Sequence, residues 1–128
     1  MSGDGRFEIG GPIDPAVFDS LVEMTGGEME FVDELVDTYL DDGAQQIAAL
    51  ETGLAAGGGS ELVRPAHSLK SNSLNIGAMT LGGLCRELEE IARTGTVPDA
   101  GDRIEAIATE FAGVREALLA ERKRRTPA

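Results

Sequence analysis

Apolar residues recur along this chain at steps of three and four, with charged and small polar residues between them. That is the periodicity of helices burying one face rather than of strands. From Glu28 to about Gly57 the positions Phe31, Leu35, Tyr39, Ile47, Leu50 and Leu54 keep this spacing, and Val32, Val36 and Leu40 widen the stripe. A narrower stripe follows over 62 to 76 in Leu62, Ala66, Leu69, Ser73 and Ile76. A third helix, running to about Arg93, carries Leu81, Leu84, Cys85, Leu88, Ile91 and Ala92, and a fourth repeats Ile104, Ile107, Phe111, Val114 and Leu118. Near the start, Asp14 followed by Pro15 reads as an N-cap with proline at the first helical position. Val17, Leu21 and Met24 then give a short cap helix stopped by Gly26 and Gly27. Four one-sided helices on short connections predict an all-α protein, an antiparallel up-down four-helix bundle with a short N-terminal cap helix.

The breaks between stripes refine this. GGGS at 57 to 60 is a loop, and Ser60 is a plausible cap for the helix that follows. Pro65, just past the first turn counted from that cap, makes this helix either bend or begin its regular course near Arg64. Gly77 ends it where a left-handed residue is favoured. TGTVPDAG at 94 to 101 is a second loop, with Asp102 as a possible cap for the last helix. Gly43, inside the first long helix, costs roughly 1 kcal/mol against alanine and marks either a bend or a close helix approach. The expected organisation is a flexible lead-in over 1–12, one domain over 13–123 and a disordered tail over 124–128. The length suits a single core.

His67, the only histidine, lies off the stripe of its helix. At about 100° per residue it sits roughly 140° from the middle of that stripe, with Lys70 at about 80° and Ser71 at about 180°. The imidazole therefore faces water beside an ammonium at i+3 and a small hydroxyl at i+4, an accessible nucleophile next to a cation and a donor, suited to an incoming phosphoryl group. Two antiparallel helices joined by a tight turn bring residues equidistant from that turn to one height, and 67 and 89 are symmetric about 78. Glu89 should lie beside His67, where it could accept the Nδ1 proton and leave Nε2 free to attack; the alternative is that it only pairs with Arg93 one turn on. Val63 and Leu74 fall about 100° and 120° from the core stripe, on the side of His67. They form either an apolar docking patch beside it or a wider core contact.

His67, Ser68, Leu69, Lys70 and Ser71, followed by Gly77 and Ala78, resemble the histidine-containing phosphotransfer (HPt) domains of multistep phosphorelays, whose pattern is His, any residue, Leu, Lys, Gly and then a small-residue turn ending Gly-Ala. Ser71 stands where the family usually has glycine; it is small and leaves the histidine open. The likeness extends through LCRELEEIAR at 84 to 93 and FVDELVDTYLDDGAQQIAAL at 31 to 50. It implies that His67 is a phosphoacceptor, that Lys70 screens the phosphoryl oxygens, and that the partners are receiver domains of response regulators or hybrid histidine kinases. A polar residue often occupies the place of Glu89 in such proteins.

Composition removes other classes. A formal net charge of −12 repels nucleic acid and anionic membrane over most of the surface, and the basic ending ERKRR is too short to reverse that. One cysteine, Cys85, cannot form an intramolecular disulfide, and with one histidine it cannot build a four-ligand zinc site. It lies on an apolar stripe and reads as a small core hydrophobe. The run Asp33, Glu34, Asp37, Asp41 and Asp42 reads as one solvated face rather than a metal site. No secretory leader opens the chain and no apolar run reaches a membrane span, so a cytoplasmic monomer is expected, and Met1 with a charged ending favours a stand-alone protein. There is neither a P-loop nor a kinase signature, so the phosphoryl group has to arrive on a partner. The expected function is a phosphoryl carrier without autonomous kinase activity and without a cofactor, any magnesium belonging to the receiver. A purely interacting helical module is the rival, and a phosphatase a distant third.

Overall fold

The computed structural model describes residues 11–125. Five α-helices follow one another: α1 (Pro15–Met24), α2 (Met29–Ala55), α3 (Val63–Ile76), α4 (Met79–Ala92) and α5 (Ala100–Arg125), with one 3-10 turn at Ser60–Leu62 before α3. Among the described residues there is no strand. Cross-helix contacts run in opposite residue order. Tyr39 and Asp42 of α2 meet Ser73 and Asn72 of α3, while Asp37 of α2 meets Arg122 of α5 and Gly43 lies under Phe111. α2 therefore runs antiparallel to both α3 and α5.

The stripes read from the sequence close on one core that includes Val32, Val36, Leu50, Leu62, Leu69, Leu81, Leu88, Ile107, Val114 and Leu118. Gly43 resolves as a close approach. An added Cβ would come within 2.7 Å of Phe111 Cζ, so the glycine lets that ring approach the α2 backbone closely, tilted against Tyr39 at 6.0 Å between centroids. The small α1 is held at its start by Asp14, whose carboxylate accepts the Ala16 N–H at 2.9 Å. Phe18 of α1 is buried.

Several boundaries differ from expectation. Ser60 does not cap α3; it opens the 3-10 turn, and Leu62 stands at the N-cap position of α3 with no side-chain cap. Pro65 then falls in the first turn of α3, where its missing N–H has no helical partner to lose, so no bend is needed. Asp102 lies inside the first turn of α5, which begins at Ala100, and cannot be its cap; its charge still favours the helix N-terminus there. Arg124 and Arg125, expected in the tail, are helical. Arg124 and Arg125 continue α5 because both pair with the buried carboxylate of Glu121, and Arg125 also reaches Asp19 of α1 at 2.5 Å and covers the Phe18 ring. Residues 1–10 and 126–128, with the lead-in and tail expected there, lie outside the described residues. No described helix is long and apolar enough to cross a membrane.

Candidate functional site

The site is built on the hairpin of α3 and α4. Ser73 O accepts the Ala78 N–H at 2.8 Å, and Gly77 takes φ +97°, a left-handed conformation that a side chain resists. The turn is also occupied from outside: Asp14 N–H donates to Gly77 O at 2.8 Å, and a Cβ on Gly77 would meet Val17. A turn this short fixes the register of the two helices. Leu74 packs on Gly82, where an added Cβ would sit 2.7 Å from Leu74 Cγ, and His67 meets Glu89, each pair equidistant from residue 78.

At the centre is Glu89. Its side chain is only 5% exposed, yet three cationic or polar groups reach it. His67 Nδ1 lies 2.9 Å from Oε2, Arg93 from the next turn of α4 lies 2.5 Å from the same oxygen, and Lys70 Nζ lies 2.8 Å from Oε1. Burial pushes this carboxyl up, but hydrogen bonds from Lys70, Arg93 and His67, together with the Lys70 charge, outweigh it and hold the group down at about 2. An ionised carboxylate can only accept. The ring nitrogen facing it must therefore carry a hydrogen, and in the neutral ring Nε2 is left with the free lone pair. With 54% of its side chain exposed, His67 presents that edge to solvent.

Each residue singled out from the sequence can now be located. His67, Lys70 and Glu89 converge. Ser71 is half-buried on the His67 side of α3, one turn on. Leu74 is half-buried with its end on Gly82, and Val63 is half-buried against the core, so both border the seam without being fully exposed or fully enclosed. The two readings of Glu89 are not alternatives, since it meets His67 and Arg93 at once. From the sequence Arg93 reads only as a rival partner of the carboxylate, and its i+4 spacing from Glu89 is the available signal. Asn72, which donates to Asp42 at 2.7 Å and ties α3 to α2, had no sequence signal.

Other polar groups do less. The Tyr39 and Ser73 hydroxyls share a buried 2.8 Å hydrogen bond, and burial pushes the Tyr39 phenol up to about 12. The Cys85 thiol is likewise pushed up to about 12 by burial and is inert as a nucleophile. A groove of about 700 Å³ between α1, α2 and α3, lined by Leu21, Met24, Leu35 and Asn75 among others, includes none of the His67 cluster. Among the described residues, no group of three His, Cys, Asp or Glu side chains is arranged to hold a metal ion.

A helical bundle with an exposed, carboxylate-backed histidine on one hairpin defines a class, and comparison supplies its name: the family model of the Hpt domain matches residues 34–117, and the chain belongs to that family. It is similar to the crystal structure of histidine-containing phosphotransfer protein B (HptB) from Pseudomonas aeruginosa PAO1. The identity is 38% and the TM-score 0.79, over 88% of this chain and 96% of that one. Among curated proteins, no significant match is found. The chain is accordingly a histidine phosphotransfer protein of phosphorelays, a class of phosphocarriers rather than enzymes that works with receiver domains of two-component systems.

Proposed function

We propose that His67 is the phosphoacceptor, and that it takes the phosphoryl group from a receiver aspartate and passes it to the aspartate of another receiver. The Nε2 lone pair attacks phosphorus, the acyl-phosphate P–O bond breaks, and the receiver carboxylate leaves with the electron pair. Delivery is the same displacement in reverse, with the second carboxylate attacking and Nε2 leaving. Phosphorylated Nε2 needs a ring that can carry positive charge if it is to leave, and the Glu89 carboxylate on Nδ1–H stabilises that charge. Lys70 and Arg93 offset the charge of the transferring group, and Ser71 leaves space beside the ring. Any magnesium belongs to the receiver. The observation that carries this reading is the 2.9 Å contact of Nδ1 with an ionised, buried carboxylate, which leaves the solvent-facing nitrogen as the nucleophile.

Incubation with a receiver domain phosphorylated on its aspartate tests it. Label should move to the chain, be acid-labile, and be absent in His67→Gln. Undiminished acid-labile label in that variant overturns the assignment, and unlabelled chain with intact receiver binding favours a purely interacting module.

A further inference from the structure

The α3–α4 hairpin is shorter than the two helices it packs on. Pro12 rests against Gly113 of α5, and Asp14, two residues on, donates its N–H to Gly77 O, so the hairpin turn stands level with the middle of α5. From there α5 runs about 18 Å further, to Arg125, beside the first half of α2, which it meets through Arg122 at Asp33 and Asp37. α1 starts at the hairpin turn and lies along this projecting part of the bundle, reaching the end of α5 at Asp19. It buries Phe18, with Leu21 and Val22 half-buried against the same core.

α1 is fastened unevenly. On the α5 side, Arg125 donates to Asp19 at 2.5 Å, lies 5.4 Å from the centre of the Phe18 ring, and is anchored at 2.6 Å on the buried carboxylate of Glu121. On the opposite side α1 stands off. The groove of about 700 Å³ separates its Leu21 and Met24 from Leu35 and Tyr39 of α2 and from Asn75 and Ile76 of α3. At the far end of α1 the N–H groups of Thr25, Gly26 and Gly27 return to Val22 O and Glu23 O, whereas those of Phe31 and Val32 go to Glu28 O. Among the described residues, then, no backbone hydrogen bond spans the Gly27–Glu28 junction. Gly26 and Gly27 are both left-handed, at φ +78° and +77°, and an added Cβ on either would meet nothing within 4 Å.

We infer that α1 is a clasped lid, a unit that swings open about the Gly27–Glu28 junction while α2 to α5 stay folded, with the Arg125 side chain as the clasp. One buried ring and a charged contact on one flank hold it, and its other flank borders the open groove. A segment with so few buried apolar contacts opens well below the cost of global unfolding. The clasp is pre-set, because Glu121 fixes the Arg125 guanidinium before Asp19 meets it, and little side-chain freedom is lost on closing. Leu21 and Met24 form one wall of the groove, so opening dismantles it and bares the apolar surface under Phe18. A molecule seated in the groove therefore holds the lid shut.

Hydrogen exchange of the full chain, read amide by amide by NMR, tests this. In the parent, the amides from Phe18 to Met24 should exchange at least about 100-fold faster than the core amides of α2 to α5. Arg125→Gln should speed α1 exchange by about tenfold more, with no comparable change around Leu69 and Leu88 of the hairpin. Asp19→Asn, which leaves Arg125 on Glu121, should act in the same direction by about three- to tenfold. Arg103→Gln, which removes the pair with Asp99 near the start of α5, should leave α1 unchanged. If the α1 amides of the parent exchange only at the global unfolding rate, there is no lid. If α1 opens locally but neither Arg125→Gln nor Asp19→Asn alters its rate, the clasp is overturned. An equal loss of protection in all five helices of both variants overturns it too, since Arg125 and Asp19 would then be supporting the whole fold.

Discussion

Replacing Glu89 by Gln keeps the shape of the side chain and an oxygen able to accept the His67 Nδ1–H, but makes the group permanently neutral. The variant therefore imitates the parent with Glu89 protonated. A carboxyl that ordinarily titrates at 4.5 is held at about 2 here, and at 1.36 kcal/mol per decade this sets an upper bound of about 3 kcal/mol on what ionisation contributes to folding. The covering side chains are themselves partly wet, Lys70 at 21% and Arg93 at 59% exposure, so solvent screening reduces the figure to about 2 kcal/mol. The sign follows from the lowered value. The stabilisation is fully present above about 4.5, is lost as pH falls through about 2, and is roughly two-fifths gone by about pH 3.5. Urea denaturation of parent and variant in parallel should show the variant weaker by about 2 kcal/mol at pH 7, a midpoint displaced by about 1 M, with the gap narrowing steadily below pH 4.5. Equal stability at pH 7, or a gap that stays constant down to pH 3.5, would show that the three contacts on this carboxylate are not holding it ionised. A long-range proton–nitrogen correlation spectrum of the imidazole ring adds a second reading, because Glu89→Ala, unlike Glu89→Gln, should let His67 mix its two tautomers.

Lys70→Ala should slow transfer to His67 by about tenfold without preventing receiver binding, since its ammonium offsets phosphoryl charge; single-turnover transfer at saturating receiver measures it, and a parental rate reduces Lys70 to a surface charge. Leu74→Ala should cost about 1–2 kcal/mol of folding, because half of the side chain already packs on Gly82, and should weaken receiver affinity by about 1 kcal/mol or more; a loss confined to stability removes Leu74 from the docking patch. Gly43→Ala should destabilise by about 1–3 kcal/mol despite the better helix propensity of alanine, because its Cβ would press on the Phe111 ring, whereas Gly83→Ala, with no atom within 4 Å of the added carbon, should stabilise by about 0.5–1 kcal/mol. Thermal melts of the two compare them directly, and a shift of the same sign in both refutes the packing account.

What could be read from the chain alone followed from periodicity and from one short turn. Four stripes with a capped leading helix were enough for the bundle, and the symmetry of 67 and 89 about the Gly77-Ala78 turn was enough to bring Glu89 to His67. Contacts spanning many residues were not legible. The pairing of Arg125 with Asp19 joins opposite ends of the chain, so a run of basic residues that reads as a fraying tail is drawn into α5. Ser60 and Asp102 have the chemistry of caps, but the glycine-rich and proline-containing loops before them leave the entry point free, and packing chose it two or three residues away. The burial of Glu89 was equally hidden: on a helical wheel it sits at the flank of the stripe, and the His67, Lys70 and Arg93 side chains that meet it come from two helices. Sequence spacing gives neighbours on one helix, whereas shielding depends on the reach of side chains from two.

The tightness of the Gly77-Ala78 connection makes the loops of this protein unequal in what they tolerate. Adding one residue there would rotate α4 by about 100° against α3 and slide it by about 1.5 Å, carrying Glu89 away from the imidazole and bringing a different residue to face it. The segments over 56–59 and 93–99 join helices whose relative register does not set the His67 contact, and lengthening either costs only the slow logarithm of loop closure, about 0.6 kcal/mol per doubling. Length variation and inserted tags therefore belong in those two loops, while the hairpin turn works as a spacer of fixed length that keeps the histidine and its carboxylate in step.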